Sequence, residues 1–446
     1  MNAFSILRLA VAVPLLLFFL WAQGYWFLRL WRFAGHIRPP ILGGALRALL
    51  SMGFAFVAVV LTATFFLRRR DLVWGLPGTV GVVGLWITTA FGSWAIIQSI
   101  STLTWIWRHT RRLLVRATGA ARSGAAAGSF VSTQSSRSHE GISLDRRRFV
   151  QGATALAGAI PFGVGAYGYL IGRHDYHVHQ IDLPVSALPR ELDGLRIAQL
   201  SDIHIGSYMS AAGVRRAVAM ANELKPDLSV ITGDFLTGRT DPLEACISEL
   251  ARLRAPLGIW GCNGNHEIYA DAQAKAAELF AEHGMKLLRQ ENAEIAWRSG
   301  KFNLIGVDYQ VSRNNHGHRQ IMLAHTDSLL RRDIPNILLS HNPNSFPRAA
   351  ELGIELMLAG HTHGGQVRVE ILDHRFTPAQ FLTPYTAGLY KRPLGSGSEL
   401  SDEEVWSNAP SASAALVYVN RGLGTIGAPV RIGVPPEISL LTLRCA

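Results

Sequence analysis

Three long apolar stretches open the chain. "FSILRLAVAVPLLLFFLWAQGYWFL" (4–28) and "LGGALRALLSMGFAFVAVVLTATFFL" (42–67) are each long enough to span a bilayer. The third, 72–107, is longer than one span needs, and Gly and Pro weaken its first part, which predicts the span over about 79–101. Trp and Tyr near the segment ends fit an interfacial aromatic belt. The pattern then changes. Residues 108–148 are rich in Arg, Ala, Gly and Ser, with little that could bury a core, which predicts a flexible linker. A fourth apolar run, "ATALAGAIPFGVGAYGYLIG" (153–172), follows the basic "DRRRFVQG". From 174 to 446 short apolar runs alternate with helical patterns: "LRIAQLSD" (195–202), "GVRRAVAMANEL" (213–224), "DLSVITGDF" (227–235), then "PLGIWGCNGNHE", "FNLIGVDY", "NILLSHNPN" and "IELMLAGHTH". Buried strands that end in polar loops and are joined by helices predict one α/β domain.

Charge sharpens this division. The 446 residues carry a formal net charge of +11. Residues 1–173 contain no lysine, many arginines and only Asp71, Glu140 and Asp145 as acids, so they hold roughly +15 and leave the rest near −4. A nucleic-acid surface would place its basic patch on the folded domain, so no nucleic-acid partner is expected. An arginine-rich, acid-poor segment between apolar runs is the composition of a cytoplasmic membrane loop. The excess in 108–148 puts that segment inside and everything after 172 on the extracytoplasmic side of a cell inner membrane; Arg68–Arg70 run against this assignment. Arg146 and Arg147, followed by Phe149 and Val150, resemble a twin-arginine export signal. A fourth membrane anchor over 149–172 with a basic flank reads the same residues equally well. Cys246, Cys262 and Cys445 have no metal-site spacing.

The chemistry gathers at the ends of the predicted strands. Asp202 and His204 follow the first, Asp234 the second, Asn265 and His266 the third, His341 a later one, and His361 and His363 the last. Ligands at the carboxyl ends of several strands converge on one crevice in open α/β sheets. Residues two apart in extended chain point the same way, so Asp202/His204 and His361/His363 are each expected to act as a forked pair. Mixed carboxylate, imidazole and amide ligands suit Mn, Fe or Zn better than Mg or Ca. Their number exceeds the needs of one tetrahedral ion, which favours two divalent metal ions sharing a carboxylate. Each residue also has a plainer reading: Asp202 and Asp234 as helix caps, Asn265 as a turn residue, His341 as a loop histidine. His174, His177 and His179 read as a polar juxtamembrane stretch. His316 and His318 read as a surface loop.

The ordered series "SDIHIG", "TGDF", "GNHE", "LSHNP" and "GHTHGGQ" resembles the calcineurin-like metallophosphoesterases, over essentially all of 195–446. The "HTHGGQ" form and "NRGLG…PVRIGVPPEISLLTL" (420–443) are similar to its bacterial, often membrane-tethered phosphodiesterase branch. The resemblance implies a four-layer α/β/β/α sandwich with two mixed sheets face to face. It implies Asp202, His204 and His363 on one metal, Asp234 bridging, and Asn265, His341 and His361 on the other. It implies attack on phosphorus by a metal-bridging hydroxide, with His266 stabilising the phosphate and protonating the leaving alkoxide. Gly364 and Gly365 are expected to form a turn that keeps the backbone clear of substrate. Tyr309 stands where an acid would be expected after "GVD".

The expectation is therefore a membrane-anchored dimetal phosphodiesterase acting on phosphate esters. A phospholipid, or a lipid-linked nucleotide sugar of the lipid A precursor type, is among the substrates considered, because "RFTPAQFLTPYTAGLY" (375–390) could face a membrane or an acyl chain. The nucleotide-sugar version conflicts with the orientation, since that precursor chemistry is cytoplasmic. The alternatives are a broad phosphomonoesterase or nucleotidase and, from another class, a metal-binding membrane sensor or scaffold. No oligomeric state follows from the sequence.

Overall fold

Contacts divide the chain into two units, Met1–Ala166 and Tyr167–Ala446. The computed structural model describes residues 3–61, 79–123, 139–311, 320–371, 374–381, 383–395 and 414–445. His316 and His318 lie outside them.

The first unit is helical: α1 (Ala3–Ala34), α2 (Pro40–Leu61), α3 (Thr79–Ser123) and the greater part of α4 (His139–Leu170). Among the described residues, Pro40–Val59, Gly81–Leu113 and Gly152–His174 are long and apolar enough to cross a membrane. The expected first span, 4–28, falls within α1. Large apolar side chains such as Ile41, Leu49, Met52 and Trp105 are exposed on these helices, as a hydrocarbon solvent permits. Two of their tryptophans donate within the unit, as a segment surrounded by lipid favours. Trp86 Nε1 donates to Gln23 Oε1 at 2.9 Å and Trp26 Nε1 to the Ala90 carbonyl at 2.9 Å. The expected linker differs at both ends. Helix α3 runs on to Ser123 and α4 begins at His139, since Ala and Arg are strong helix formers whatever their failure to build a core; 124–138 lie outside the described residues.

The second unit contains two mixed six-stranded sheets with helices on their outer faces. The first sheet has the order β1 (His177–Val185), β14 (Glu437–Cys445), β2 (Arg196–Leu200), β3 (Leu228–Thr232), β4 (Ile259–Cys262) and β5 (Lys286–Leu287). The second runs β12 (Gly388–Pro393), β13 (Ala414–Val419), β9 (Leu356–Ala359), β8 (Asn336–Leu339), β7 (Gly300–Gly306) and β6 (Glu291–Trp297). A short hairpin pairs β10 (Val369–Ile371) with β11 (His374–Phe376). The strands β2, β3 and β4 are parallel, as are β7, β8 and β9. Every residue of β3, β8 and β9 is buried, which is why these strands read as unbroken apolar runs rather than alternating ones.

Four layers follow from where the apolar side chains go. Leu183, Ile197, Val230, Phe302, Leu339 and Leu358 interlock between the sheets. Helices α5 (Ala211–Glu223), α6 (Leu243–Leu250) and α8 (Gln273–Glu282) cover the outer face of the first sheet through Val214, Val218, Ile247 and Phe280. Helix α9 (Phe346–Glu351) covers the second. This is the expected α/β/β/α architecture. The histidine tract is a correction: His177 and His179 lie on β1, paired in parallel with β14, because the Val and Ile between the polar positions complete a strand. Part of the "RFTPAQFLTPYTAGLY" segment packs inward. Thr377, Ala379, Thr383 and Tyr385 are buried, and Tyr385 packs edge-on against Phe346 at 5.6 Å, so these side chains serve the domain core.

The sheets meet at the ends of their parallel strands. Gln199, near the end of β2, donates through Nε2 to the Ala359 carbonyl at the end of β9 and to Thr232 Oγ1 at the end of β3. One amide thus ties three strand ends from two sheets together.

Candidate metal centre

The loops leaving β2, β3, β4, β8 and β9 carry the eight residues singled out in the sequence. Asp202, His204, Asp234, Asn265, His341 and His363 are buried; His266 and His361 are partly exposed and mark the open side of the cluster. Ligand atoms of Asp202, His204 and His363 all lie within 4.8 Å of one another, as do those of Asp234, His341 and His361. A third such group, His204, Asp234 and His266, overlaps both. Asp234 stands between the two ends: its Oδ2 is 3.2 Å from His341 Nε2 and 3.5 Å from His204 Nε2.

The local backbone is not the extended chain expected of forked pairs. Asp202, His204, Asp234, His361 and His363 all have φ between 49° and 75°, the left-handed region that non-glycine residues rarely enter. Strain of this kind persists only where surrounding contacts over-determine it. Here both oxygens of Asp202 accept the His361 N–H at 3.0 Å, and Asp234 Oδ1 accepts the His266 N–H at 2.9 Å. The pair His361/His363 is consequently split between the two groups, with Thr362 turned away to donate to the Thr386 carbonyl.

Second partners fix the rings. His341 Nδ1 is 2.5 Å from the Thr232 carbonyl and His266 Nδ1 is 2.7 Å from the Thr237 carbonyl. A carbonyl only accepts, so each Nδ1 carries the hydrogen and each Nε2 keeps its lone pair in the neutral ring. Glu267, fully buried, accepts the N–H groups of Asp234, Phe235 and Gly264 at 2.7–2.9 Å and so binds the "TGDF" loop to the "GNHE" loop. Burial and the charge of Asp234 push its carboxyl up to about 7, against the pull of those N–H groups.

The electrostatics call for added positive charge. Burial alone would raise Asp234 and lower His341. Their mutual attraction outweighs it, holding Asp234 well below the usual carboxylate range and raising His341 to about 10. Burial, aided by neighbouring positive groups, holds the other imidazoles neutral: His204 falls to about 3, His361 to about 4, and His363 well below its ordinary value. Neutral imidazole is the metal-binding form.

The residues fit a metal. His204 Nε2 faces His363 Nε2 at 3.1 Å, and His363 Nε2 lies 3.3 Å from Asp202 Oδ1. Asn265 Oδ1 and His341 Nε2 are buried without a hydrogen-bond partner; the 3.2 Å approach of His341 Nε2 to Asp234 is close but outside hydrogen-bonding geometry. Buried lone pairs that converge without a donor are costly unless a cation meets them. The plainer readings fail on position: Ser210, not Asp202, caps α5, and Pro242, not Asp234, precedes α6.

Several supporting residues escaped the sequence reading. Arg431, 1% exposed, donates to the carbonyls of His363, Arg421, Gly422 and Gly424, and its Nη2 lies 3.4 Å from His363 Nδ1. Gly422 has φ 71°, and a Cβ there would sit 2.5 Å from the Asp202 Cβ. The quoted "NRGLG…PVRIG" held this signal, but nothing in it says which carbonyls Arg431 would reach. Gly364 and Gly365 form the expected turn, with φ 57° and 80°. A Cβ on Gly365 would collide with Thr377 Oγ1, so its glycine also makes room for the 377–379 segment. His179 Nε2 contacts Arg421 Nη1 at 3.0 Å, which in turn pairs with Glu437, so this histidine stands outside the cluster.

Fold and cluster together define a dinuclear-type phosphoesterase centre, and residues 195–365 match the calcineurin-like phosphoesterase family. The chain carries a calcineurin-like metallophosphoesterase domain with groups of Asp and His residues that fit a metal. It is 30% identical over 314 residues to a cattle transmembrane protein with metallophosphoesterase domain, covering 68% of this chain and 65% of that protein. It is 28% identical to the Bacillus subtilis uncharacterized metallophosphoesterase YkuE, covering 68% of this chain and 98% of the relative. It is 27% identical to the Escherichia coli phosphodiesterase YaeI, covering 67% and 99%. The match thus spans slightly less than two thirds of the cattle protein but nearly all of the bacterial ones. The transmembrane relative and the apolar helices support a membrane protein.

Proposed function

We propose that the protein is a membrane-anchored phosphodiesterase whose Asp202, His204 and His363 hold one divalent metal and whose Asn265, His341 and His361 hold a second, with Asp234 shared. The observation that carries this reading is the position of Asp234 between two complete ligand groups. Mn, Fe or Zn suits the mixed nitrogen and oxygen donors. When bound, such ions supply positive charge at the phosphoryl oxygens and an activated water nucleophile at neutral pH. The chain does the rest. Asp202 and Asp234 hold the ligand loops through the N–H groups of His361 and His266. Thr237 keeps the hydrogen of His266 on Nδ1, so Nε2 is the atom that takes up a proton from water and then gives it to the leaving alkoxide as the phosphorus–oxygen bond breaks. A diester is favoured over a monoester by the likeness to the E. coli phosphodiesterase.

The test uses the full-length chain in detergent. Wild type is expected to retain two equivalents of transition metal by elemental analysis and to hydrolyse bis-p-nitrophenyl phosphate faster than p-nitrophenyl phosphate. A higher rate on the monoester would favour a phosphomonoesterase. Two metals with neither substrate cleaved would favour a sensor or scaffold. A phospholipid added as a third substrate reports on lipid linkage.

The catalytic unit is assigned to the extracytoplasmic side of the inner membrane because the arginine excess before residue 173 marks the cytoplasmic side. A reporter fused after residue 446 is expected to work only outside the cytoplasm; activity confined to the cytoplasm would reverse the orientation. Mass analysis of the same membrane-bound protein distinguishes a retained anchor at 149–172 from a cleaved twin-arginine-like signal.

A further inference from the structure

The cluster opens where His266 and His361 are partly exposed, and each of these two rings touches a tyrosine. The Tyr269 ring meets the His266 ring edge-on at 5.6 Å. The Tyr309 ring lies 5.3 Å from His361 and 6.0 Å from His341. Tyr269 is 64% exposed, and its neighbour Ile268 is also exposed, so neither fills the core. Among the described residues none hydrogen-bonds the Tyr309 hydroxyl, and Asp308 beside it is engaged by Arg289 and Asn263. Single exposed aromatics are ordinary on a protein surface. Here an exposed ring and a half-buried one frame the open side of one buried ligand cluster, and a bare phosphate held by the cluster would leave both ring faces unused.

We propose that Tyr269 and Tyr309 form a subsite that grips a flat aromatic ester group, an aryl ring or a nucleobase, on the substrate phosphate. The subsite rests on the phosphodiesterase reading above and names the substrate class for it. Tyr269 stands beside His266, the group assigned to the leaving alkoxide, and so faces the departing ester group. Tyr309 stands at the His361 end and faces the group retained on phosphorus. Stacking of a flat group on an aromatic ring tolerates different rings because each has a π face.

Bis-p-nitrophenyl phosphate and methyl p-nitrophenyl phosphate share a leaving group and differ only in the retained one. The ratio of their kcat/KM values, measured on the full-length chain in detergent, isolates the Tyr309 side. Tyr309→Ala is expected to shift that ratio against the aryl diester by about tenfold, at the low end of what stacking one base contributes, through KM. Tyr309→Phe is expected to keep the wild-type ratio, since the ring and not the hydroxyl does the work. An unchanged ratio in Tyr309→Ala, or an equal shift in Tyr309→Phe, overturns the subsite. Metal content equal to wild type shows that the variant is folded around its ligands; if Tyr309→Ala loses metal, the ring is part of the ligand scaffold and the proposal fails. A wild-type enzyme that cleaves neither diester, only the monoester, defeats the phosphodiesterase reading instead.

Discussion

Asp234→Asn is expected to lower kcat/KM for a phosphodiester by roughly 10³-fold, the scale on which removing one electrostatic contact of a reacting centre acts. The geometry explains the size. Asp234 is the carboxylate whose Oδ2 reaches both His341 and His204, one in each ligand group. Asparagine keeps the shape and can still accept the His266 N–H through its oxygen, so the "TGDF" and "GNHE" loops remain joined, also by Glu267. What goes is the negative charge that holds His341 at about 10 and offsets two cations. Metal content is therefore expected to fall from two equivalents to one or none, and the thermal midpoint of the metal-free protein to fall as well, because His341 loses its buried partner. Elemental analysis and steady-state kinetics on the full-length chain check both. Wild-type turnover with two bound metals would sink the shared-carboxylate assignment.

Arg431→Met is expected to destabilise the second unit by about 4 kcal/mol, from several buried carbonyls each losing a donor at the lower end of about 1–3 kcal/mol. For a domain of this size that lowers Tm by roughly 10 °C. The guanidinium is fully buried and makes its hydrogen bonds to backbone carbonyls of 421–424 and to His363, with no carboxylate among those partners. Burial lowers it to about 10, which still leaves it charged at neutral pH. Methionine fills much of the volume but donates nothing. Arg431→Lys is expected to fall between the two, because an ammonium has three donors and no planar fork to reach separate carbonyls. Differential scanning fluorimetry measures the shifts. A Tm within two degrees of wild type for Arg431→Met would show that the carbonyls find other donors.

The two variants separate what was visible in the sequence from what was not. Asp234 could be singled out from "TGDF" because a carboxylate at the end of an apolar run has few packing roles, and seven further residues fell into the same pattern. Arg431 could not. It is separated from His363 by 68 residues, and its partners are carbonyls, which every residue possesses. Tyr309 was noticed only as a departure from an expected acid. Its meaning came from its ring standing against His361 at the open side of the cluster. The forked-pair argument assumed extended chain, whereas these positions have positive φ and His361 and His363 fall in different groups.

By itself the sequence determined the apolar runs, the alternating α/β pattern and which metal-capable residues stand at the strand ends. These are written locally, in periodicity and in short motifs at strand ends. The tertiary structure decided how the ligands divide, because that depends on left-handed backbone turns stabilised by contacts from other strands. It also decided that Thr377, Ala379, Thr383 and Tyr385 are buried and that His177 and His179 belong to β1, since both depend on pairing and burial partners far away in the chain. Local pattern sets which groups arrive at the edge of a sheet; long-range hydrogen bonds such as those of Gln199, Glu267 and Arg431 set where each one points.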